Sequence, residues 1–376
     1  MMARARKRGR PAVTFVVMAG GKGERLWPLV RAAWPKVCLS PDGRRSLLQA
    51  TIDRLRAAWP KAQWLIVTTR GQAGPVRRAL APSMRRALLV EPQGKSTAAC
   101  ITLAAAALAV RDPRRVMVVV PADHWIGDGA AYRAAVRAAI RAAVTHDAIT
   151  TIGIQPTHPH PGLGYLCAGS SLTRSGPADG GAGGPRVFRL ARFVEKPSPA
   201  ATRRLLRRAR TYWNSGTFVG TADRFLECVT EWLPDHARRL VPLGSLLRRA
   251  GGAQTAAFAR RAGAAYGAVQ AISFDHGVMD HLRSGLVVEG RFAWADLGSW
   301  DTWARLGRSQ VRLLEVESGN IRAIGRPNHL IAAIGVRDLL IVQTPTATLV
   351  CHPEQAQAVR AVVQRIASDP RLAAYR

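Results

Sequence analysis

The sequence predicts an α/β fold built on a mixed, mainly parallel sheet flanked by helices, with a small β-rich region at its C-terminal end. Three observations carry that expectation. Short apolar β-rich runs alternate with amphipathic helical stretches as far as about Trp300, the pattern of βαβ units. The 376 residues are 48% hydrophobic, enough to bury one large core and a smaller appendage. Beyond Trp303 the rhythm changes to short β-like runs closed by one helix.

Taken in order, Val13 to Met18, Trp64 to Thr68, Ala87 to Val90 and Val116 to Val120 read as strands, because each is an apolar run of strand length. Ser46 to Trp59, Pro75 to Leu80 and Thr97 to Arg111 read as the helices between them. From about Thr150 onward, strands are expected at Thr151 to Ile154, Val187 to Phe193 and Gly216 to Val219, interleaved with Arg-rich helices. Ser170 to Gly184, rich in Gly and Ser, reads as a surface excursion between two strands. The C-terminal runs are Asn320 to Ala323, Leu330 to Ile334, Leu339 to Gln343 and Thr348 to Cys351, closed by a helix from Pro353 to Ala367. The expected organisation is a basic extension over 1–12, a main domain over 13–303 and the β-rich region over 304–376, with no internal repeat.

Composition excludes several classes of function. The five cysteines (Cys38, Cys100, Cys167, Cys228, Cys351) are far apart and lack C-x-x-C spacing, so neither a disulfide framework nor a zinc site is indicated and a reducing cytoplasm is expected. No apolar run approaches the ~20 residues of a membrane span. The basic start followed by TFVVMAG imitates a secretion signal, but its apolar stretch is only a strand long and runs straight into a glycine loop. The formal charge of +31 invites a polyanion partner. Yet the positive residues are spread along the chain, only 6% of residues are aromatic and no base-stacking motif is present, so no specific nucleic acid is expected. The charge reads as compositional drift, with 6 Lys against 49 Arg. Four of those six lysines (Lys22, Lys36, Lys95, Lys196) fall inside the motifs below, as expected where a compact ammonium is needed.

The strongest motif is Ala19-Gly20-Gly21-Lys22-Gly23-Glu24-Arg25-Leu26-Trp27-Pro28, directly after the first strand, with Pro35-Lys36 downstream. Closely spaced glycines such as Gly20, Gly21 and Gly23 let backbone N–H groups approach an anion at a strand's carboxyl end. Arg25 adds a fork of donors and Lys36 a point charge, so the chemistry is phosphate binding. A dinucleotide fingerprint would need a glycine where Leu26 stands, and a P-loop lysine would be followed by Ser or Thr, whereas Lys22 precedes Gly23. Gly94-Lys95-Ser96 fails the P-loop test too, since Leu89 occupies the position of the required glycine. Asp123 follows the apolar strand Val116 to Val120 and so lies where α/β sheets place ligands; it reads as a cation ligand or as a turn aspartate. Glu195-Lys196, ahead of Pro197, suits sugar hydroxyls and a phosphate, or forms a plain surface salt bridge.

Six motifs stand in one order: Gly20 to Pro28, Glu91-Pro92-Gln93-Gly94-Lys95-Ser96-Thr97-Ala98, Pro121-Ala122-Asp123-His124, Phe193-Val194-Glu195-Lys196-Pro197, Trp213-Asn214-Ser215-Gly216, and Trp294-Ala295-Asp296-Leu297-Gly298-Ser299-Trp300. In this the chain resembles the sugar-phosphate nucleotidylyltransferases, among them the mannose-1-phosphate guanylyltransferases, from Val13 to about Trp303 and more weakly to Val350. The resemblance implies a Rossmann-like sheet of the nucleotide-diphospho-sugar transferase type. It also implies GTP and mannose 1-phosphate as substrates, with GDP-mannose and pyrophosphate as products. Asp123 and Asp296 would hold Mg²⁺, and Arg25, Lys36 and Lys196 would stabilise phosphate charge. Gly20, Gly21, Gly23, Glu91, Ser96 and Thr97 would bind the nucleotide, while Gly164, Glu195, Lys196 and Asn214 would bind the sugar phosphate. His124 reads as a supporting rather than a ligating histidine. The C-terminal region would be a small β-helix-like module that helps two subunits pair.

Departures from the family pattern bear on substrate choice. The segment usually reading Arg-Asn-Thr-Ala-Pro is Lys95-Ser96-Thr97-Ala98-Ala99 here, Val37 replaces a glutamine, and Pro161-Gly162-Leu163-Gly164-Tyr165 replaces Thr-Gly-Tyr-Gly-Tyr. Asp275-His276-Gly277-Val278-Met279-Asp280 keeps its leading acid but shortens the last one. Another sugar 1-phosphate (heptose or glucose type), another base, or a non-catalytic paralogue are the competing readings. The chain ends too early for the isomerase domain of the long bifunctional relatives, so no isomerase activity is expected.

Overall fold

The computed structural model describes residues 12–376 except 22, 32–33, 42, 174–183, 252–253, 301, 304–310 and 327. Lys22, most of the expected glycine-rich excursion and most of the basic extension lie outside the described residues. The first half runs β1 (Val13–Met18), α1 (Leu47–Arg56), β2 (Gln63–Thr69), α2 (Ala73–Ala79), β3 (Leu88–Glu91), α3 (Ser96–Ala109), β4 (Val116–Pro121), β5 (His124–Ile126), α4 (Gly129–His146) and β6 (Thr150–Ile154). It continues through β7 (Tyr165–Ser171), β8 (Val187–Val194), α5 (Pro199–Leu206), β9 (Thr211–Thr221), α6 (Ala222–Trp232), α7 (Pro234–Arg249), α8 (Ala256–Ala268), β10 (Leu286–Gly290) and β11 (Trp294–Asp296). The C-terminal region holds β12 (Arg312–Val316), β13 (Arg322–Ile324), β14 (Leu330–Ile334), β15 (Leu340–Gln343) and β16 (Thr348–Cys351), then the closing helix Val359–Ser368.

Nine strands form one sheet in the order β3-β2-β1-β4-β9-β6-β10-β8-β7. Only β8 and β9 run against the other seven, so the sheet is mixed and mainly parallel. Its central strands, such as β1 and β4, are buried on both faces, which is why they read as continuous apolar runs. Val16, Val67, Met117 and Val119 point into a core shared with α3, α6, α7 and α8; Phe15, Val17, Ile66 and Val118 point into another shared with α1 and α4. Chain order reverses between β1 and β4, which pair directly with Met18 beside Pro121. The loops leaving those two strands therefore emerge side by side at the switch point of the sheet, where α/β proteins bind ligands.

Two elements differ from expectation in a way that matters for the site. The strand expected at Gly216 to Val219 is the longer β9, and its Asn214-Ser215-Gly216, residues that read locally as a turn, lies inside it. Pairing on both sides, with β6 and β7, overrides the local preference, and a bulge opposite Thr151 and Gly153 absorbs the extra residues. Asp296, in a stretch where no strand was expected, ends the short strand β11, which pairs antiparallel with β5 and sets Asp296 opposite His124. Between them the sequence showed only three-residue pieces, too short for any periodicity to register.

In the C-terminal region β12 pairs parallel with β14, and β15 lies between β13 and β16. A third core joins this region to the glycine loop: Leu26, Trp27 and Val30 are buried with Trp300, Leu340, Val342, Leu349, Val359 and Ile366.

Candidate active site

The site is assembled at the β1/β4 switch point. The glycine loop turns back after β1, with Gly23 in the left-handed region at φ 60°. A Cβ on Gly23 would lie 3.0 Å from Cβ of Lys36 and 3.1 Å from Val30, so the residue's smallness brings the loop and Lys36 together. Gln72 closes the loop from the β2 side, its amide donating to the Gly21 carbonyl at 2.6 Å.

Lys36 is the centre of the charge arrangement. Its ammonium donates to Asp123 Oδ2 at 2.6 Å and to Asp296 Oδ1 at 3.2 Å. Burial alone would lower the Lys36 pKa, but the two carboxylates overcome it and raise it. Asp296 experiences the reciprocal effect: burial pushes its pKa up, and Lys36 more than offsets this, holding the carboxyl below its ordinary value. Asp123 arrives from the end of β4 and Asp296 from β11, so two segments far apart in sequence converge on one cationic atom. His124 supports them. Its Nδ1 accepts from the Trp294 indole at 3.3 Å, which leaves the proton on Nε2, 3.9 Å from Asp123 Oδ1. Burial lowers the His124 pKa, favouring the neutral ring.

Arg25 lies in the short helical turn Glu24–Leu26, half-buried, with its Nε out of solvent and without a hydrogen-bond partner. Burial and the neighbouring Arg360 lower its pKa, while Asp296 pulls the other way.

The second group of expected residues gathers around β7, β8 and β9. Glu195 follows β8 and is largely buried; its Oε1 meets Lys196 Nζ at 2.9 Å, and the Lys196 side chain stays 62% exposed. A Cβ on Gly164 would fall 2.7 Å from Glu195 Oε2 and 2.9 Å from the Phe193 ring, so that position accepts only glycine without movement. The Gly164 carbonyl accepts from the Asn214 backbone at 2.8 Å. Asn214 Oδ1 accepts from the Thr151 hydroxyl and the Gly216 N–H, and its amide donates to Asp275 at 2.6 Å. Asp275 opens a π-helical turn, Asp275–Met279, and burial together with the nearby Glu195 pushes its carboxyl up to about 7. In the sequence only its leading position in the 275–280 segment marks Asp275; its contact with Asn214 arises from the fold.

The third group sits on the β3–α3 loop. Ser96 and Thr97 open α3, with Ser96 in the left-handed region at φ 64°. The Thr97 hydroxyl accepts from the Phe274 N–H, and Lys95 donates to the Val269 carbonyl at 2.8 Å. Glu91 is 4% exposed and accepts from the Tyr266 hydroxyl at 2.9 Å; burial raises its carboxyl to about 7 despite that bond. Its carboxyl is thus engaged with α8, away from the Lys36 cluster. Nothing in the sequence marks Tyr266, one residue of an Ala- and Arg-rich helix.

Among the described residues no group of three or more His, Cys, Asp or Glu side chains is placed to hold a metal. A hard cation at Asp123 and Asp296 would take its remaining ligands from phosphate oxygens and water, as Mg²⁺ commonly does, and the oxygen-only donor pair fits that ion. No described helix is long and apolar enough to cross a membrane.

Known proteins match most of the chain. Residues 14–309 match the family described as nucleotidyl transferase, and residues 312–366 match the mannose-phosphate isomerase/GMP-like β-helix domain. The mannose-1-phosphate guanylyltransferase of Escherichia coli (strain K12) is 32% identical over 381 residues, covering 95% of this chain and 74% of its own. The xanthan biosynthesis protein XanB of Xanthomonas campestris pv. campestris (strain B100) is 33% identical, covering 95% and 73%. A solved structure described as mannose-1-phosphate geranyltransferase from Thermus thermophilus is 31% identical, with a TM-score of 0.77 over 94% of this chain and 99% of that one.

Proposed function

The chain belongs to the nucleotidyl transferase family, and from that premise we propose that it transfers a guanylyl group from GTP to mannose 1-phosphate, giving GDP-mannose and pyrophosphate. The observation that carries the proposal is the convergence of Asp123 and Asp296 on Lys36 beside the glycine loop, at the switch point of the sheet. The name of the Escherichia coli relative supports the sugar and the base, and the description of the Thermus thermophilus structure supports the sugar.

In the reaction, an oxygen of the sugar phosphate attacks the α-phosphorus. A new P–O bond forms, the bond to the bridging oxygen of the β-phosphate breaks, and its electron pair leaves with pyrophosphate. The attacking oxygen is already anionic, so no strong general base is required. Catalysis rests on positioning and on stabilising charge. The backbone around Gly20, Gly21 and Gly23 cradles the triphosphate, Arg25 supplies a fork of donors, and Lys36 balances negative charge beside the reacting phosphates. Ser96 and Thr97, at the start of α3, face the nucleotide. Glu195 and Asn214 orient the sugar hydroxyls, with Gly164 leaving room for them, and Lys196 meets the sugar's phosphate. Glu91 acts from behind, fixing the β3–α3 loop to α8. Asp123 and Asp296 would hold Mg²⁺, which when bound supplies Lewis-acid neutralisation of phosphate charge.

Pairing of two chains through the C-terminal region is part of this reading. Leu314, Val316, Leu330, Ala332 and Ile334 lie exposed on one face of the β12–β14 pair, a largely apolar face with Arg312 at its edge beside Leu330. Apolar patches of that kind on a protein surface mark interaction sites. The five free cysteines are compatible with a reducing cytoplasm.

The test is pyrophosphate release with Mg²⁺, scanning GTP, ATP, UTP and dTTP against mannose, glucose and heptose 1-phosphates. Release confined to GTP with mannose 1-phosphate is the expected result. Another productive pair would keep the mechanism and change the substrates, and silence with every pair would overturn the reading.

A further inference from the structure

The closing helix Val359–Ser368 packs directly on the turn Glu24–Leu26 that carries Arg25. Val359 and Ile366 are buried in the same cluster as Leu26 and Trp27, and the Trp27 indole donates to the Tyr375 carbonyl at 2.9 Å. These ties fix the helix relative to the glycine loop. Arg360 follows the buried Val359, a step of roughly 100° around the helix, and its side chain is exposed. Among the described residues no carboxylate forms an ion pair with Arg360. Its charge nevertheless reaches Arg25, whose buried Nε has no partner.

Two neighbouring guanidinium groups repel, and a polyanion bound by both would convert that repulsion into attraction. Asp296, which pulls on Arg25, is already engaged by Lys36. We propose that Arg360 is a second guanidinium of the phosphate site, binding the β- and γ-phosphates of the triphosphate and then the departing pyrophosphate, so that the C-terminal region completes the active site. The inference rests on the nucleotidyl-transfer reading. It gives the third core a functional meaning: the β-rich region is held against the glycine loop because one of its side chains acts there.

The experiment compares the full chain with Arg360→Ala, Arg360→Gln and Arg360→Lys in two measurements. The first is the kcat and KM for GTP and for the sugar 1-phosphate. The second is the rise in melting temperature caused by inorganic tripolyphosphate. Loss of one charge-assisted hydrogen bond predicts a roughly tenfold rise in the KM for GTP. The KM for the sugar phosphate should stay unchanged, tripolyphosphate should stabilise less, and lysine should restore part of both effects. Melting temperatures without ligand should match the parent, since the side chain is exposed. Wild-type turnover with unaltered KM and tripolyphosphate response in the Ala and Gln variants would overturn the role of Arg360 and leave the transferase reading intact. No turnover in the parent, with tripolyphosphate stabilisation still dependent on Arg360, would remove the transferase reading and keep the anion site.

Discussion

The ammonium of Lys36 lies 2.6 Å from the carboxylate of Asp123, joining the glycine-loop side of the site to the end of the central strand β4. The Lys36 side chain is only 8% exposed. Replacing it by methionine keeps the volume but leaves Asp123 and Asp296 facing one another without a counter-charge. We expect Lys36→Met to lose turnover by about 10³-fold or more, the scale for removing a preorganised charge from a phosphoryl site. The melting temperature should fall as well, because a buried ion pair loses one partner. Steady-state rates and a thermal melt check both; turnover within a few-fold of the parent would mean that Lys36 is structural.

Gly164 and Glu195 are related by exclusion, since a methyl group at 164 would occupy the space of Glu195 Oε2. Gly164→Ala should displace the carboxylate from its place beside Lys196. The KM for the sugar 1-phosphate is expected to rise roughly tenfold while the KM for GTP stays constant, with an overpacking cost of about 1–3 kcal/mol. An equal effect on both substrates would show that the change spreads through β9 instead.

Glu91 gives a pH signature. Burial raises its carboxyl to about 7 in the folded chain, against about 4.3 when unfolded. Between those values the native state keeps a proton that the unfolded chain has released. This contribution to stability is therefore fully present below about pH 4 and is lost as the pH rises to about 7, at no more than about 1.4 kcal/mol per unit. Glu91→Gln retains an acceptor for Tyr266 and removes the slope. Denaturant titrations at pH 5 and pH 7.5 should show the variant gaining on the parent at the higher pH; parallel profiles would contradict the assignment.

What was legible in the sequence follows from what local pattern can encode. Fully buried strands such as Val13–Met18 and Val116–Pro121 announce themselves as apolar runs, and the glycine loop announces its own backbone chemistry. That is why the α/β class and the loop's position could be read. The three-residue pairing of β5 with β11 could not, because it exists only through the tertiary fold that aligns Asp296 with His124. The same holds for Arg360, which is one arginine among 49 until the closing helix docks on the glycine loop. Asn214 shows the converse: Asn-Ser-Gly is a triplet that suits turns, so the expected strand began only at Gly216, yet pairing on both sides carries β9 back to Thr211.

The β12–β14 face yields the last prediction. Parallel pairing sets Leu314 beside Ala332 and Val316 beside Ile334, with Leu330 on the same side, and Ile334 is 69% exposed. Burying a side chain of this size is worth about 1.5–3 kcal/mol, so a second copy covering four of them gains enough to offset a substantial part of the cost of association. The parent chain is expected to sediment as a dimer at micromolar concentration, and Leu314→Lys with Ile334→Lys as a monomer, since two charges would be desolvated at the centre of the patch. Both substitutions are on exposed positions, so the melting temperature of the isolated chain should change little beyond the loss of dimer linkage. A monomeric parent, or a double variant that still dimerises, would show that this face does not join the subunits.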